Sequence, residues 1–263
     1  MKLQEGYPTQ QHQAAAQRIV QHFESNRLVD AVLLYCSCAR GKATPDSCLD
    51  IAVLVNEGLS DVNRRELEQQ WAELKSTSRE IAELRKVGRF SEVHLDVVTG
   101  EFMPRDQELG GEQDSFELEI GNYIAYSIPL SQNNDHLERL RSKWLPYFSK
   151  ELRKHRLEMV RANCHNDLQH IPLYVKRRLH FQCLDRLYRA YKEFLQALFI
   201  YHSVYPIAYN KWIEEQLVEI LQLPALYKEL THLFEIQTFE GNDIERKSEV
   251  LYGLLEKHAP RVE

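Results

Sequence analysis

The sequence predicts an α/β fold in its N-terminal half, followed by an all-helical C-terminal half. Three observations carry this. Residues 31–35 (AVLLY) and 49–55 (LDIAVLV) are apolar, β-branched-rich runs joined by a polar, turn-rich segment holding Gly41 and Pro45, as expected of two buried neighbouring strands. Apolar residues at three- and four-residue steps flank them, the mark of helices with one buried stripe. After Pro129 the strand pattern ends, and helical periodicity continues almost to the C-terminus.

Taken in order, residues 9–26 predict a helix burying Ala15, Ile19, Val20 and Phe23. Strand one ends at Tyr35, and the small, polar stretch 37–47 suits a loop whose backbone N–H groups approach an anion. Strand two runs over 49–55 and is broken by Asn56-Glu57-Gly58. Residues 61–86 predict one long helix, with Leu67, Trp71, Leu74, Ile81 and Leu84 on its buried side and a cap at Ser60 or Asp61. A third strand spans 92–98, where Val93, Leu95 and Val97 alternate with His94, Asp96 and Val98. Residues 116–128 (FELEIGNYIAYSI) favour one or two edge strands interrupted by Gly121. The C-terminal half predicts helices over 136–157, 172–203, 209–221, 225–234 and 243–258. In the second of these, apolar residues from Leu184 to Tyr201 cover more than one face, placing it in the middle of a bundle. The segment SQNN at 131–134 marks the boundary, dividing the chain into domains 1–131 and 132–263.

Composition narrows the function classes. A formal charge of −6 argues against a dedicated nucleic-acid binder, which carries a basic excess. The clusters Lys176-Arg177-Arg178 and Arg139, Arg141, Lys143 read as solvated helix faces. No run reaches the ~18 apolar residues of a membrane span. The first residues carry no apolar secretory stretch, and five cysteines in a chain of this size read as reduced thiols. A cytoplasmic location is the expectation.

The residues around the two strands carry a sharper signal. Cys36, Ser37, Arg40 and Gly41 follow strand one; Ser47, Cys48, Leu49 and Asp50 open strand two. This arrangement resembles the polymerase-beta-like nucleotidyltransferase superfamily, particularly its bacterial small-molecule members. There a strand ends in Gly-Ser, an Arg-Gly spacer follows, and Ser-Asp-x-Asp enters the next strand. Two positions depart from that pattern, giving a degenerate Asp-x-Asp motif: Cys36 stands at the glycine and Cys48 at the first aspartate.

The resemblance implies a mixed sheet, and a transfer of a nucleotide, AMP being expected, from a nucleoside triphosphate to a hydroxyl of a small molecule. The alternative is a nucleotide-binding or protein-interaction member of the fold without turnover, as in toxin–antitoxin partners. It implies Mg2+ (or Mn2+) as cofactor, held by Asp50 and by Asp96 on the strand after the long helix. It implies Ser37, Arg40, Gly41, Lys42 and Ser47 around the phosphates. A stretch from His202 to Trp212 is similar to an aromatic-rich turn of the same family, implying that Tyr209 and Lys211 face the nucleotide in a cleft between the domains.

The residues themselves keep rival chemistries open. A thiolate at position 48 is a soft ligand, poor for magnesium. Asp46 could approach the same space if the loop were rearranged. Zinc held by Cys36, Cys38 and Cys48, with His94 nearby, is a second possibility, although Cys-x-Cys lacks the usual two-residue spacing. No His-Cys pairing supports a cysteine nucleophile. His165, Asn166, Asp167 and His170 read as a polar surface turn before Pro172.

Overall fold

The computed structural model describes residues 6–262, and contacts between them group into two compact units. Unit one comprises residues 1–103 and 119–146; unit two comprises 104–118 and 147–263. The expected boundary near residue 131 therefore lies elsewhere. It falls inside a strand, β4 (Ile128–Gln132), that pairs antiparallel with β1 (Val29–Leu34). Backbone pairing binds residues 128–132 to the sheet more firmly than their polar composition suggested.

Unit one is built on a four-stranded sheet in the order β3-β2-β1-β4. Here β2 is Leu49–Val55 and β3 is Val93–Val98. β1 runs antiparallel to β2, whereas β2 and β3 are parallel, so the sheet is mixed. All residues of β1 and β2 are buried, which explains why both read as continuous apolar runs rather than alternating ones. β3 is an edge strand and alternates. Helix α1 (Gln10–Phe23) lays Ala15, Ala16, Ile19 and Phe23 on one core with the strands. Its N-cap Thr9 accepts from the His12 backbone N–H. The buried His12 ring lies 2.9 Å from the Ser47 carbonyl through Nε2. A carbonyl only accepts, so Nε2 bears the proton and Nδ1 takes the Thr9 hydroxyl at 2.8 Å. This ties α1 to the residue that leads into Cys48.

The long helix expected over 61–86 is two helices, α3 (Asp61–Thr77) and α4 (Arg79–Leu84). Ser78 breaks it by adopting extended backbone and capping α4, its hydroxyl accepting from the Ile81 N–H. The short helix α2 (Cys36–Ala39) follows β1 directly. The strand expectation for 116–128 fails over its first part. Residues Phe116–Ile120 form α5, which continues as a π-helical turn at Gly121–Ala125. Phe116, Ile120 and Ile124 are buried at four-residue steps, a helical spacing that overrides their β-favouring composition. Helix α6 (His136–Trp144) completes unit one, and His136 Nδ1 lies 2.7 Å from the buried Asp30 carboxylate of β1.

Unit two is helical, around α7 (Lys150–Lys176), α8 (His180–His202), α9 (Pro224–Leu233) and α10 (Asp243–His258). The helix expected over 136–157 is interrupted at Pro146, and Ser149 caps α7. α7 runs through Pro172, so His165, Asn166, Asp167 and His170 lie within a helix rather than in a turn. Asp167 is fully buried and paired with Arg186 and Arg189 of α8. α8 carries Phe194, Leu195, Ala197, Leu198, Phe199 and Ile200, all buried, confirming its central position. Residues 209–212 are not helical; a π-helical segment spans Glu215–Ile220. The Gln216 amide fastens that loop, accepting from the N–H groups of Ile207 and Ala208 and donating to the carbonyls of Ala208 and Lys211.

Arg156 is 1% exposed and forks onto two carboxylates whose side chains are 0% and 7% exposed. Nε and Nη2 donate to Glu117, while Nη1 and Nη2 donate to Asp114. Burial opposes its charge, but the bonds from Glu117 and Asp114 outweigh that and hold the guanidinium protonated. No helix among the described residues is long and apolar enough to cross a membrane.

Candidate active site

Strand geometry assembles the site. Side chains alternate along a strand, so Cys48 and Asp50 at the entry to β2 share one face. The parallel register sets Asp50 opposite His94 and Ala52 opposite Asp96. His94 and Asp96 are two apart, so Asp50, His94 and Asp96 all lie on that same face. The Cys48 thiol lies 3.5 Å and 3.3 Å from the two oxygens of Asp50. His94 Nδ1 lies 3.3 Å from Asp50 Oδ1. Ligand atoms of Cys48, Asp50 and His94 all fall within 4.8 Å of one another, the one such cluster among the described residues.

Asp50 is nearly buried, whereas the His94 side chain is 59% exposed. The cluster therefore opens to solvent on its imidazole side.

Asp96 does not join that cluster. One of its oxygens, Oδ2, accepts from Tyr35 at 2.6 Å and from Tyr123 at 3.0 Å. The two rings lean on each other with centroids 5.1 Å apart. Burial, then the Asp96 carboxylate, pushes the Tyr35 hydroxyl far above the ordinary phenol range, so it stays a donor. Oδ1 of Asp96 carries neither bond. Asp96 lines the wall of an open cavity of about 450 Å³, together with Arg64, Trp71, Thr99, Glu119 and Tyr123 among others.

The loop residues behave less uniformly than the sequence suggested. Ser37 and Arg40 are buried at the end of β1. The Ser37 carbonyl accepts from the N–H groups of Arg40 and Lys42, closing the turn in which Gly41 takes φ +67°. Ser47 is spent locally, its hydroxyl accepting from the Thr44 N–H. Asp46 turns away from Cys48 and accepts from the Arg89 N–H at 3.1 Å, which removes it as a stand-in carboxylate.

Cys36 adopts φ +56°, the left-handed region, at the position where the family pattern has glycine. A cysteine holds the backbone shape there and adds a Cβ to it. Cys38 is buried beneath the sheet end, its thiol pushed up to about 12 by desolvation and by Asp50 and Cys48. Neither Cys36 nor Cys38 enters the ligand cluster with Cys48.

Tyr209 and Lys211 belong to unit two. The Tyr209 ring is part of the core of the helical unit, and Lys211 is exposed in the loop beside it.

His94 is the residue that sequence reasoning did not set beside Asp50. Its signal was parity with Asp96 on one strand, but only the β2–β3 register turns parity into contact.

Residues 17–92 match the family model described as Polymerase beta, Nucleotidyltransferase. That match is to the polymerase-beta-like nucleotidyltransferase family and covers less than half of the chain. It runs from the second half of α1 to the residue before β3, so it takes in Ser37, Arg40, Cys48 and Asp50 and stops short of His94 and Asp96. Among solved structures, the nucleotidyltransferase-like chain is similar to a spectinomycin adenyltransferase from Enterococcus faecialis, solved with ATP and spectinomycin. The identity is 15% over 94% of this chain and 98% of that one, with a TM-score of 0.34. No curated protein matches the chain.

The donor set does not fit the magnesium that this family pattern implies. Magnesium takes oxygen ligands in near-octahedral geometry. The cluster offers one carboxylate, one thiol and one imidazole, and the second carboxylate on this face, Asp96, is held by two phenols.

Proposed function

We propose that this nucleotidyltransferase-like protein transfers a nucleotide, AMP in the first instance, from a nucleoside triphosphate to a hydroxyl of a small molecule. One observation carries the reading: Asp50 and Asp96 share one face of the parallel β2–β3 pair, with Asp96 at the wall of a cavity large enough for a small polar acceptor. Arg64, Glu119 and Trp71 in that cavity offer both charges and an apolar wall, a lining suited to a polyhydroxylated or cationic compound.

In this reading Ser37, Arg40 and Lys42 supply a hydroxyl and positive charge to the β- and γ-phosphates. The acceptor hydroxyl attacks the α-phosphorus, the bond to the bridging oxygen breaks, and pyrophosphate leaves. Asp96 takes the proton of the attacking hydroxyl on Oδ1, the oxygen that Tyr35 and Tyr123 leave alone. The two phenols act as positioning residues, fixing the carboxylate so that one oxygen faces the cavity.

The test is pyrophosphate release from ATP, GTP, CTP and UTP with a panel of small hydroxyl compounds and several divalent cations, alongside calorimetry of nucleotide binding. Turnover that falls by about 100-fold or more in Asp96→Asn, with triphosphate affinity retained, supports the assignment. Failure of all four triphosphates to bind at millimolar concentration overturns it.

A second reading, nucleotide binding without turnover, is favoured by Cys48, which stands where the pattern needs a carboxylate. Cys48→Asp separates the two. A gain of tenfold or more in pyrophosphate release, ~1.4 kcal/mol of barrier, marks a competent site missing one ligand. Silence of both proteins with triphosphate still bound leaves the binding reading.

A further inference from the structure

We infer that Cys48, Asp50 and His94 form a site for a zinc-class divalent cation, with three protein ligands and one open position. The assignment concerns the cation alone, and its test reads the metal without nucleotide, so it fails or stands apart from the transfer reading.

The donors argue for it first. A thiolate, an imidazole and a carboxylate are the three ligand types that zinc takes, and a thiolate is one that magnesium rejects. The distances agree. With Zn–S of ~2.3 Å and Zn–N or Zn–O of ~2.0 Å at tetrahedral angles, neighbouring ligand atoms lie ~3.3–3.5 Å apart. Cys48 Sγ to Asp50 Oδ1 is 3.5 Å, and His94 Nδ1 to the same Oδ1 is 3.3 Å. Both fit the edges of such a tetrahedron, and the remaining Cys48–His94 edge is bounded at 4.8 Å.

The backbone supports this placement. Cys48 and Asp50 are on one face by alternation, His94 stands opposite Asp50 by register, and the three sit on two hydrogen-bonded strands rather than on loops. His12 holds the Ser47 carbonyl and so steadies the residue before Cys48. The exposure of His94 leaves the fourth position to water or an incoming ligand oxygen, the open arrangement of a catalytic rather than a structural zinc. Binding converts the Cys48 thiol to thiolate, and its proton passes to solvent.

The experiment uses the full chain, stripped with chelator and dialysed. It is titrated with Zn2+, and separately with Co2+ as a spectroscopic probe, with bound metal counted by elemental analysis. The expected result is one Zn2+ per chain and a near-ultraviolet thiolate-to-cobalt band. Cys48→Ser should abolish the band, and Cys48→Ser or His94→Ala should weaken zinc by about 100-fold. A Cys36→Ser variant should change neither. Circular dichroism of each variant checks that the fold is kept; His94 is exposed, so its replacement leaves the core intact. Three results overturn the inference: no zinc retained at micromolar concentration, zinc retained equally by the Cys48 and His94 variants, or millimolar Mg2+ displacing the Co2+ band.

Discussion

Glu193 offers a quantitative check on the interior of unit two. It sits on α8, 2% exposed, and its Oε2 has no hydrogen-bond partner among the described residues. Burial, reinforced by the neighbouring Asp167 charge, pushes its carboxyl up to about 8, against 4.5 for the free group; Arg189, Lys192 and Arg186 pull it back only in part. The sign of the pH effect follows. Between the two values the folded chain holds a proton that the unfolded chain has released, so raising the pH through this window destabilises the fold. At ~1.4 kcal/mol per pH unit the ceiling over the window is about 5 kcal/mol, and relaxation with water entry trims this to about 2–4 kcal/mol. Glu193→Gln keeps the shape of the protonated acid and cannot ionise. Urea unfolding followed by circular dichroism should show the two proteins within about 0.5 kcal/mol at pH 5, with the variant ahead by about 2–4 kcal/mol at pH 9. Every other group titrates alike in both proteins, so the difference isolates this carboxyl. A gap that is the same at both pH values, or that opens toward acid, would refute the reasoning.

Three further outcomes are expected. Arg156→Met leaves the Asp114 and Glu117 carboxylates buried without their cation, and urea unfolding should show a loss of about 3–5 kcal/mol. Cys36→Gly relieves a left-handed residue at φ +56° and should stabilise unit one by about 0.5–1 kcal/mol after the extra unfolded-chain entropy is subtracted; a lower unfolding midpoint would contradict the strain argument. In the folded, chelator-stripped chain at pH 8, iodoacetamide should label the partly exposed Cys36 and Cys48 well before Cys38 and Cys164. The latter two are buried, the Cys38 thiol raised to about 12 and the Cys164 thiol well above its usual range, and peptide mapping reads the order.

Much of unit one was legible because its signals are local. Two runs of buried β-branched residues meant two interior strands, and alternation marked a third. That Cys48 and Asp50 share a face followed from parity alone, whereas placing Asp96 on that face needed the β2–β3 register. What failed was whatever depended on pairing or context. FELEIGNYIAYSI has strand composition, but its buried residues fall at helical steps, and composition was the weaker guide. Ser78 looked like an ordinary interior position of a long helix, whereas its hydroxyl caps a second one. Asp167 looked like part of a surface turn, since nothing in its neighbourhood announces that Arg186 and Arg189 lie one helix away. In the candidate site, Asp50 was recognisable, and His94 was named only as a neighbour of Cys48, not as the partner of Asp50. The shared register of β2 and β3 selects His94 over Cys36 and Cys38 as the companion of Cys48.

The path of the chain between its two units has a consequence for anyone who would handle them apart. Residues 104–118 leave unit one for unit two before the chain returns at Glu119 to lay down β4 and α6. No single cut in the gene therefore separates the two units. A product starting at residue 132 or 147 lacks Asp114 and Glu117, and Arg156 is left as a lone cation in an apolar interior. One ending at residue 103 lacks β4, which bares the edge of β1 as a row of unpaired amides and carbonyls, and it strips Asp30 of His136. Fragments made this way would aggregate for reasons unrelated to how well each unit folds. A permuted gene that joins 104–118 to residue 147 directly is the rational route to the helical unit alone. By the same logic, no single crossover exchanges one unit and leaves the other unmixed.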